Sequence, residues 1–359
     1  MRTSSSTLTQ PHSWAHSFAA GPGYLAACTA GLPSDATVDA MQAFISRWAG
    51  GGLDAPAVGA EFEDCRTAYA AIVGVTPTEV AIGSQVSQFT SVIAASVPPE
   101  AEVLCAIGDF SSLTHPFEQL AGRGVRVRYV PLADLASEVS TQTALVAFSL
   151  VQSATGEIAD FRAIQGAAAR VGARTFVDLT QAVGWLPVNA ADFDYTVCHA
   201  YKWLCAPRGT AFLTVRAGLE TELTPLAAGW YSADDVWASC YAGHTPLAVG
   251  AGRFDLSPVW PVISGTAVAL REHLARDPRA VHDHALGLAN AARAVLEVAP
   301  GDSAIVTWAD PDGTALAALT AAGITASGRA GNARIAFHLW NTGEDVAQLA
   351  AALGRTIPN

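Results

Sequence analysis

The sequence predicts an α/β protein, with a mainly parallel sheet in a large domain and a smaller α+β domain at the C-terminal end. Three observations carry this. Apolar or β-branched runs at 80–82, 102–107, 126–131, 144–150, 175–178 and 211–215 are separated by stretches with helical spacing, the alternation expected of parallel strands joined by helical crossovers. The run Thr175-Phe176-Val177 ends in Asp178, which reads as a strand buried on both faces with an acid at its carboxyl end. A chain of 359 residues that is 51% hydrophobic can also bury a large core.

The elements follow in order. Residues 1–20 are polar, lack the apolar centre of a secretion signal and are expected to form a flexible arm. The large domain is expected over 21–264 and the small one over 265–359. Val38, Met41, Phe44, Ile45 and Trp48 fall on one helical face, and the glycines at 50–52 break that helix. A second helix is expected from Val58 to Val73, ending at Gly74. After the strand at 80–82, Gly83-Ser84-Gln85-Val86-Ser87 opens another helix. A small polar turn there offers free amides and the positive end of a helix dipole to an anion. It reads equally as a plain serine cap. Phe161 to Val171 is an amphipathic helix leading into the central strand. Beyond 265, helices are expected at 266–274 and 281–296, and strands at 304–308 and 333–338.

Composition excludes several classes. A net charge of −12 leaves no basic groove for nucleic acid. No run of about 18 apolar residues is present, so no membrane helix is expected. The six cysteines, at 28, 65, 105, 198, 205 and 240, form no C-x-x-C pair. That suits free thiols in a reducing, cytoplasmic setting rather than disulfides or a zinc site. Gly250-x-Gly252 is too short for a dinucleotide loop.

One residue stands apart. Lys202 is the only lysine among the 20 Lys and Arg residues, and it lies between Tyr201 and Trp203 after an apolar run. Arginine stays protonated, whereas a partly buried lysine loses its proton and attacks a carbonyl.

Asp178, Gln181, His199, Tyr201 and Lys202 form a D-x-x-Q…H-x-Y-K pattern. It resembles the aminotransferase class V group of pyridoxal-phosphate (PLP) enzymes, which includes cysteine desulfurases, kynureninases, isopenicillin-N-epimerase-like proteins and several transaminases. The resemblance implies the fold type I architecture and a homodimer with its site at the subunit interface. It implies that Lys202 holds PLP as a Schiff base. Asp178 would pair with the pyridine nitrogen, so that the ring acts as an electron sink. Gln181 would hydrogen-bond the ring oxygen, and His199 and Tyr201 would serve the phosphate or the ring side. Ser84, Gln85 and Val86 occupy the family's phosphate turn, without its usual threonine.

Further positions carry over in the same way. Phe110 is the candidate for stacking on the ring, with His115 as the alternative. Ser153 stands where the family's asparagine reaches the ring oxygen. Ala206-Pro207-Arg208-Gly209 resembles the G-P-R-G turn after the lysine. The 21–33 segment resembles the line that crosses the active-site entrance, with Ala26 and Ala27 in place of polar residues. After Arg253-Phe254, the contact to a partner's phosphate falls to Ser257 or Thr266. Arg334, in A-R-I-A-F-H-L-W-N-T, resembles the arginine that grips a substrate α-carboxylate; an arginine paired with a local acid is the other reading.

The expected chemistry is removal of the Cα proton of a small amino acid by Lys202. Transamination comes first, and a kynureninase-like, C–S lyase or epimerase outcome second. A non-catalytic relative that only binds the cofactor is the third reading, motivated by the altered phosphate turn. Cysteine desulfurases place a nucleophilic cysteine ahead of the arginine. The 313–333 stretch has none, which argues against persulfide chemistry by that route.

Overall fold

The computed structural model describes residues 13–20 and 22–357. Helix α1 (Asp35–Ala49) starts where the Ser34 side chain accepts the Thr37 amide at 3.1 Å. Helix α2 (Ala55–Val73) is capped by Asp54 and ends on Gly74, whose φ of 72° is left-handed.

Strand β1 (Val80–Gly83) and helix α3 (Val86–Ser96) open the central layer. They are followed by β2 (Glu102–Ala106), α4 (Ser111–Glu118), β3 (Arg126–Val130), α5 (Leu135–Glu138), β4 (Thr143–Ser149) and α6 (Phe161–Val171). The layer closes with β5 (Arg174–Asp178), β6 (Tyr195–His199) and β7 (Ala211–Val215). The seven strands lie in the order β1-β7-β6-β5-β4-β2-β3. Neighbours from β3 to β6 pair in parallel, as expected of strands joined through helices. Strand β7 runs antiparallel to both β6 and β1. It follows β6 through the loop 200–210 alone, and without a crossover helix the chain can only return antiparallel. Phe62, Tyr69 and Ile164 fill one face of the sheet; Phe89, Leu113 and Phe117 fill the other.

The chain continues with α7 (Val236–Ser239), α8 (Trp260–Leu274), α9 (Pro278–Leu296), β8 (Ile305–Ala309), α10 (Thr314–Ala321), β9 (Ser327–Arg329), β10 (Asn332–Ala336) and α11 (Gly343–Ala352). A small antiparallel sheet, β8-β10-β9, encloses a separate core of Leu288, Ala292, Val306, Phe337 and Leu349. The expected boundary at 265 falls inside α8, which packs against α1 and α2 of the large layer. Of the expected N-terminal arm, residues 1–12 lie outside the described residues. The remainder is not a free arm: Phe18 is buried against Trp340, with ring centroids 5.4 Å apart.

Two features set the lysine loop. The amide of Gly31 donates to Tyr201 O at 2.8 Å, and a Cβ on Gly31 would stand 1.9 Å from Lys202 O. On the other side, a Cβ on Gly184 (φ +112°) would stand 2.4 Å from Trp203 O. Only glycine permits either approach. The segment before Gly31 is itself tied to the small domain: Leu25 N donates to Thr325 O, and Ala336 N donates to Leu25 O.

Candidate active site

The carboxyl ends of the parallel strands converge on a cavity lined by Gln85, Phe110, Asp178, His199, Tyr201 and Lys202, among others. This edge is where open α/β sheets bind a ligand.

Lys202 is buried in the loop after β6. Burial pushes its ammonium down to about 8, against the pull of Asp178. Its Nζ stands 5.6 Å from the Phe110 ring centroid and 5.8 Å from that of Tyr201. Asp178, the last residue of β5, is also buried. Burial raises its carboxyl, and hydrogen bonds from Thr180 and the charge of Lys202 oppose the rise. The Thr180 amide donates to its Oδ1 at 2.8 Å.

Gln181 is fully engaged within the protein. Its Nε2 donates to Cys28 O and to Ser153 Oγ, both at 2.9 Å, and its Oε1 accepts from Trp203 Nε1 at 2.8 Å. Its amide therefore fixes Ser153 and has no hydrogen left for a ring oxygen in this state. The Ser153 hydroxyl accepts from Gln181 and from Arg334 Nη1, the latter at 3.1 Å, and keeps its own hydrogen to donate.

Arg334, in β10, is fully buried. Nε donates to Ser327 Oγ at 3.1 Å and Nη2 to Thr29 Oγ1 at 3.0 Å. Nη1 also donates to Ser153 O. All these acceptors are neutral, and no ion pair joins Arg334 to an acid among the described residues. The alternative of an arginine paired with a local acid is thus not what the structure shows.

His199 ends β6, and its amide donates to Thr180 Oγ1 at 2.9 Å. Its Nε2 lies 3.4 Å from Gln85 Oε1, and its ring meets the edge of Tyr201 at 4.4 Å. Burial, aided by Arg208 and Lys202, pushes the imidazole down to about 4, so it is neutral near pH 7. The Arg208 guanidinium lies 4.9 Å over the Tyr201 ring. Phe110 covers the lysine from the start of α4, and Asp109 fixes it there: the Asp109 carboxylate accepts the amides of Phe110 (3.0 Å) and Ser149 (2.7 Å). His115 is exposed on α4 and lines a different cleft.

The α3 turn differs from expectation. The amides of Ser84 and Gln85 donate to Gln88 Oε1 at 3.2 and 3.1 Å, so the helix partly caps itself where an anion was expected. Val86 lines the cavity at the first turn. Thr266 is a correction: it is buried inside α8, donates to Val262 O at 2.9 Å and lies 3.0 Å from Thr210 Oγ1. From there it cannot reach a partner subunit. Ser257 is exposed in the loop before α8. Below the lysine, His338 Nε2 donates to Trp203 O at 2.7 Å.

Sequence reasoning missed Thr180, Arg208, Trp203 and Asp109. Thr180, two residues after Asp178, carries the signal of an Asx turn. Arg208 stood in plain view inside the A-P-R-G turn.

The aminotransferase class-V family model matches residues 24–327. Three curated relatives are similar to part of the chain. An uncharacterized aminotransferase, YcbU of Bacillus subtilis (strain 168), is 28% identical over 50% of this chain and 51% of its own length. The isopenicillin N epimerase of Amycolatopsis lactamdurans is 29% identical, covering 46% of each. A probable cysteine desulfurase of Methanothermobacter thermautotrophicus is 25% identical over 55% of this chain and 52% of its own. The matched stretch thus spans about half the length of each of these relatives.

Two solved structures share the whole fold. A C-DES lysine-to-alanine variant with glycine covalently linked to its PLP cofactor gives a TM-score of 0.86 at 19% identity, covering 96% of this chain and 99% of that one. The cysteine desulfurase CsdA from Escherichia coli gives 0.82 at 19% identity, covering 96% and 98%. These matches correct the expectation that set persulfide chemistry aside. Cysteine desulfurases stand among both the relatives and the structural neighbours, so one missing loop cysteine does not exclude that class.

The residues fit PLP. A buried carboxylate and a buried lysine face one cavity, an aromatic ring stands over the lysine, and the Arg208 guanidinium, which pairs with no acid among the described residues, lines the same cavity. With its family match over residues 24–327, the parallel-sheet fold and the buried Asp178–Lys202 pair, the chain belongs to the aminotransferase class-V family of PLP-dependent enzymes.

Proposed function

We propose that this protein breaks a bond at Cα of a small amino acid, with Lys202 as both cofactor-bearing residue and base. The observation that carries the reading is the burial of Asp178 and Lys202 in one cavity wall, beside Gln181 and Ser153, whose hydroxyl is bonded to Arg334. Bound PLP supplies an electron sink for the pair left at Cα.

The chain's own residues do the rest. A carboxylate raised by burial, such as Asp178, gains most from a cationic ring nitrogen placed beside it. With its ammonium at about 8, Lys202 is partly neutral near pH 7. It can therefore attack a carbonyl and later accept the Cα proton at Nζ. The Arg334 fork is already oriented by three side-chain hydroxyls, and a substrate carboxylate exchanges neutral acceptors for a charged one. Phe110 sets an aromatic face 5.6 Å from Nζ, against which a planar ring can stack. The spare hydrogen of Ser153 is available to the ring oxygen.

The product depends on where Lys202 returns its proton and whether the substrate carries a leaving group at Cβ. Transamination and β-elimination use the same residues up to that point. A second copy of the chain is the partner we propose, because Leu226, Trp237, Tyr241 and Val249 are exposed on 226–249. Exposed Ser257 follows that stretch, which supports giving it the contact to the partner's phosphate.

The test is the visible spectrum of purified protein with PLP, for wild type and Lys202→Ala. Amino acids including cysteine and cystine are then added, with assays for keto acid, ammonia and sulfide. A band that borohydride fixes on the one lysine, together with a substrate-dependent product, supports the reading. Free wash-out of PLP from the wild type refutes it.

A further inference from the structure

Two separate chains of contact reach the cavity that holds Asp178 and Lys202. One runs from Gln181 to Ser153 (2.9 Å) to Arg334 (3.1 Å). The other runs from Gln85 to His199 (3.4 Å), from His199 to Tyr201 (4.4 Å between rings), and from Tyr201 to Arg208 (4.9 Å). In pyridoxal phosphate the ring oxygen and the phosphate arm leave the ring on opposite sides of the line from the pyridine nitrogen to the carbonyl carbon. A cofactor set between Asp178 and Lys202 therefore directs its oxygen to one flank and its phosphate to the other. The oxygen falls to Ser153, whose hydroxyl accepts from Arg334 and keeps a hydrogen to donate.

The second flank needs a cation. The family threonine is absent from the α3 turn, and Gln88 already takes the amides of Ser84 and Gln85. His199 is neutral. Arg208 lines the cavity, its guanidinium is laid on Tyr201, and no acid pairs with it among the described residues. We infer that Arg208 binds the phosphate of the cofactor, with Tyr201 as its platform and the first turn of α3 completing the pocket. A planar, permanently charged fork suits a phosphate better than the hydroxyl it replaces. Resting on the PLP reading above, this inference adds a phosphate-binding residue that the altered turn makes necessary.

The experiment measures dissociation constants for PLP and for pyridoxal, which lacks the phosphate, in wild type, Arg208→Gln and Arg208→Lys. Fluorescence titration gives the constants, and urea unfolding checks that each variant is folded. R208Q is expected to weaken PLP about 10- to 100-fold and leave pyridoxal unchanged. R208K, which keeps the charge without the fork, falls between, and it carries the test should R208Q not fold. An unchanged PLP-to-pyridoxal ratio in folded variants overturns the inference. So does an unchanged ratio with a raised KM for the amino acid, which assigns Arg208 to a substrate carboxylate. A wild type that binds neither compound refutes the PLP reading itself; a wild type that binds both with the ratio unmoved in R208Q refutes only the role of Arg208.

Discussion

Replacing Lys202 with methionine should stabilise the cofactor-free protein near neutral pH, although it destroys the site. In the unfolded chain the lysine titrates at its ordinary value of 10.5, and in the fold burial lowers it to about 8. Below pH 8 both states are protonated, and the folded state carries the full cost of a buried ammonium. Between pH 8 and 10.5 the unfolded state binds more protons than the folded one, so stability rises with pH. Above 10.5 both states are neutral and the cost is gone. At about 1.4 kcal/mol per pH unit, the gap from 10.5 to about 8 is worth about 3 kcal/mol. The assay is urea unfolding of apo wild type and Lys202→Met between pH 7 and 10. The advantage of the variant should shrink from about 3 kcal/mol at pH 7 to below about 1 kcal/mol at pH 10. Parallel pH profiles for the two proteins would refute a buried, desolvated lysine.

Three further outcomes are expected. Asp178→Asn keeps the shape but removes the charge opposite the ring nitrogen, and should lower kcat at least about 100-fold while PLP remains bound; near-wild-type turnover would contradict the assignment. Arg334→Lys loses the fork that meets Ser153, Ser327 and Thr29, and should raise KM for the amino acid about 10- to 100-fold. An unchanged KM would remove Arg334 from substrate binding. Gly184→Ala places a Cβ 2.4 Å from Trp203 O at a left-handed φ and should cost about 3 kcal/mol or more by urea unfolding. A change below about 0.5 kcal/mol would show that the lysine loop gives way freely.

Much of this architecture could be read from particular residues. The run ending in Asp178 is legible because a strand buried on both faces leaves no polar alternation. Lys202 is legible because it is alone of its type. The neighbours of β7 were not legible: Ala211–Val215 is buried throughout, and a fully buried strand shows no alternation that names its partners. Thr266 misled because α8 starts at Trp260, with Pro261 in its first turn, well before the Gly265-Thr266 pair. Deep in a helix, a threonine can bond the carbonyl four residues back, as Thr266 does with Val262. The self-capping by Gln88 and the placement of Arg208 on Tyr201 depend on side-chain geometry that spacing does not encode. The cysteine argument failed for a different reason. One residue missing from one loop does not set aside likeness to a curated probable cysteine desulfurase.

The clamp on the lysine loop bears on how the site is made. Gly31 presses on it from the start of the chain and Gly184 from the middle. Arg334, bonded to Thr29 and Ser153, comes from near the end. Residues 29 to 334 must therefore all have left the ribosome before the cavity has all its walls. A nascent chain that has displayed Lys202 still lacks β10 to hold its first segment in place. A product terminated before β10 would show the lysine without the contacts that close its pocket.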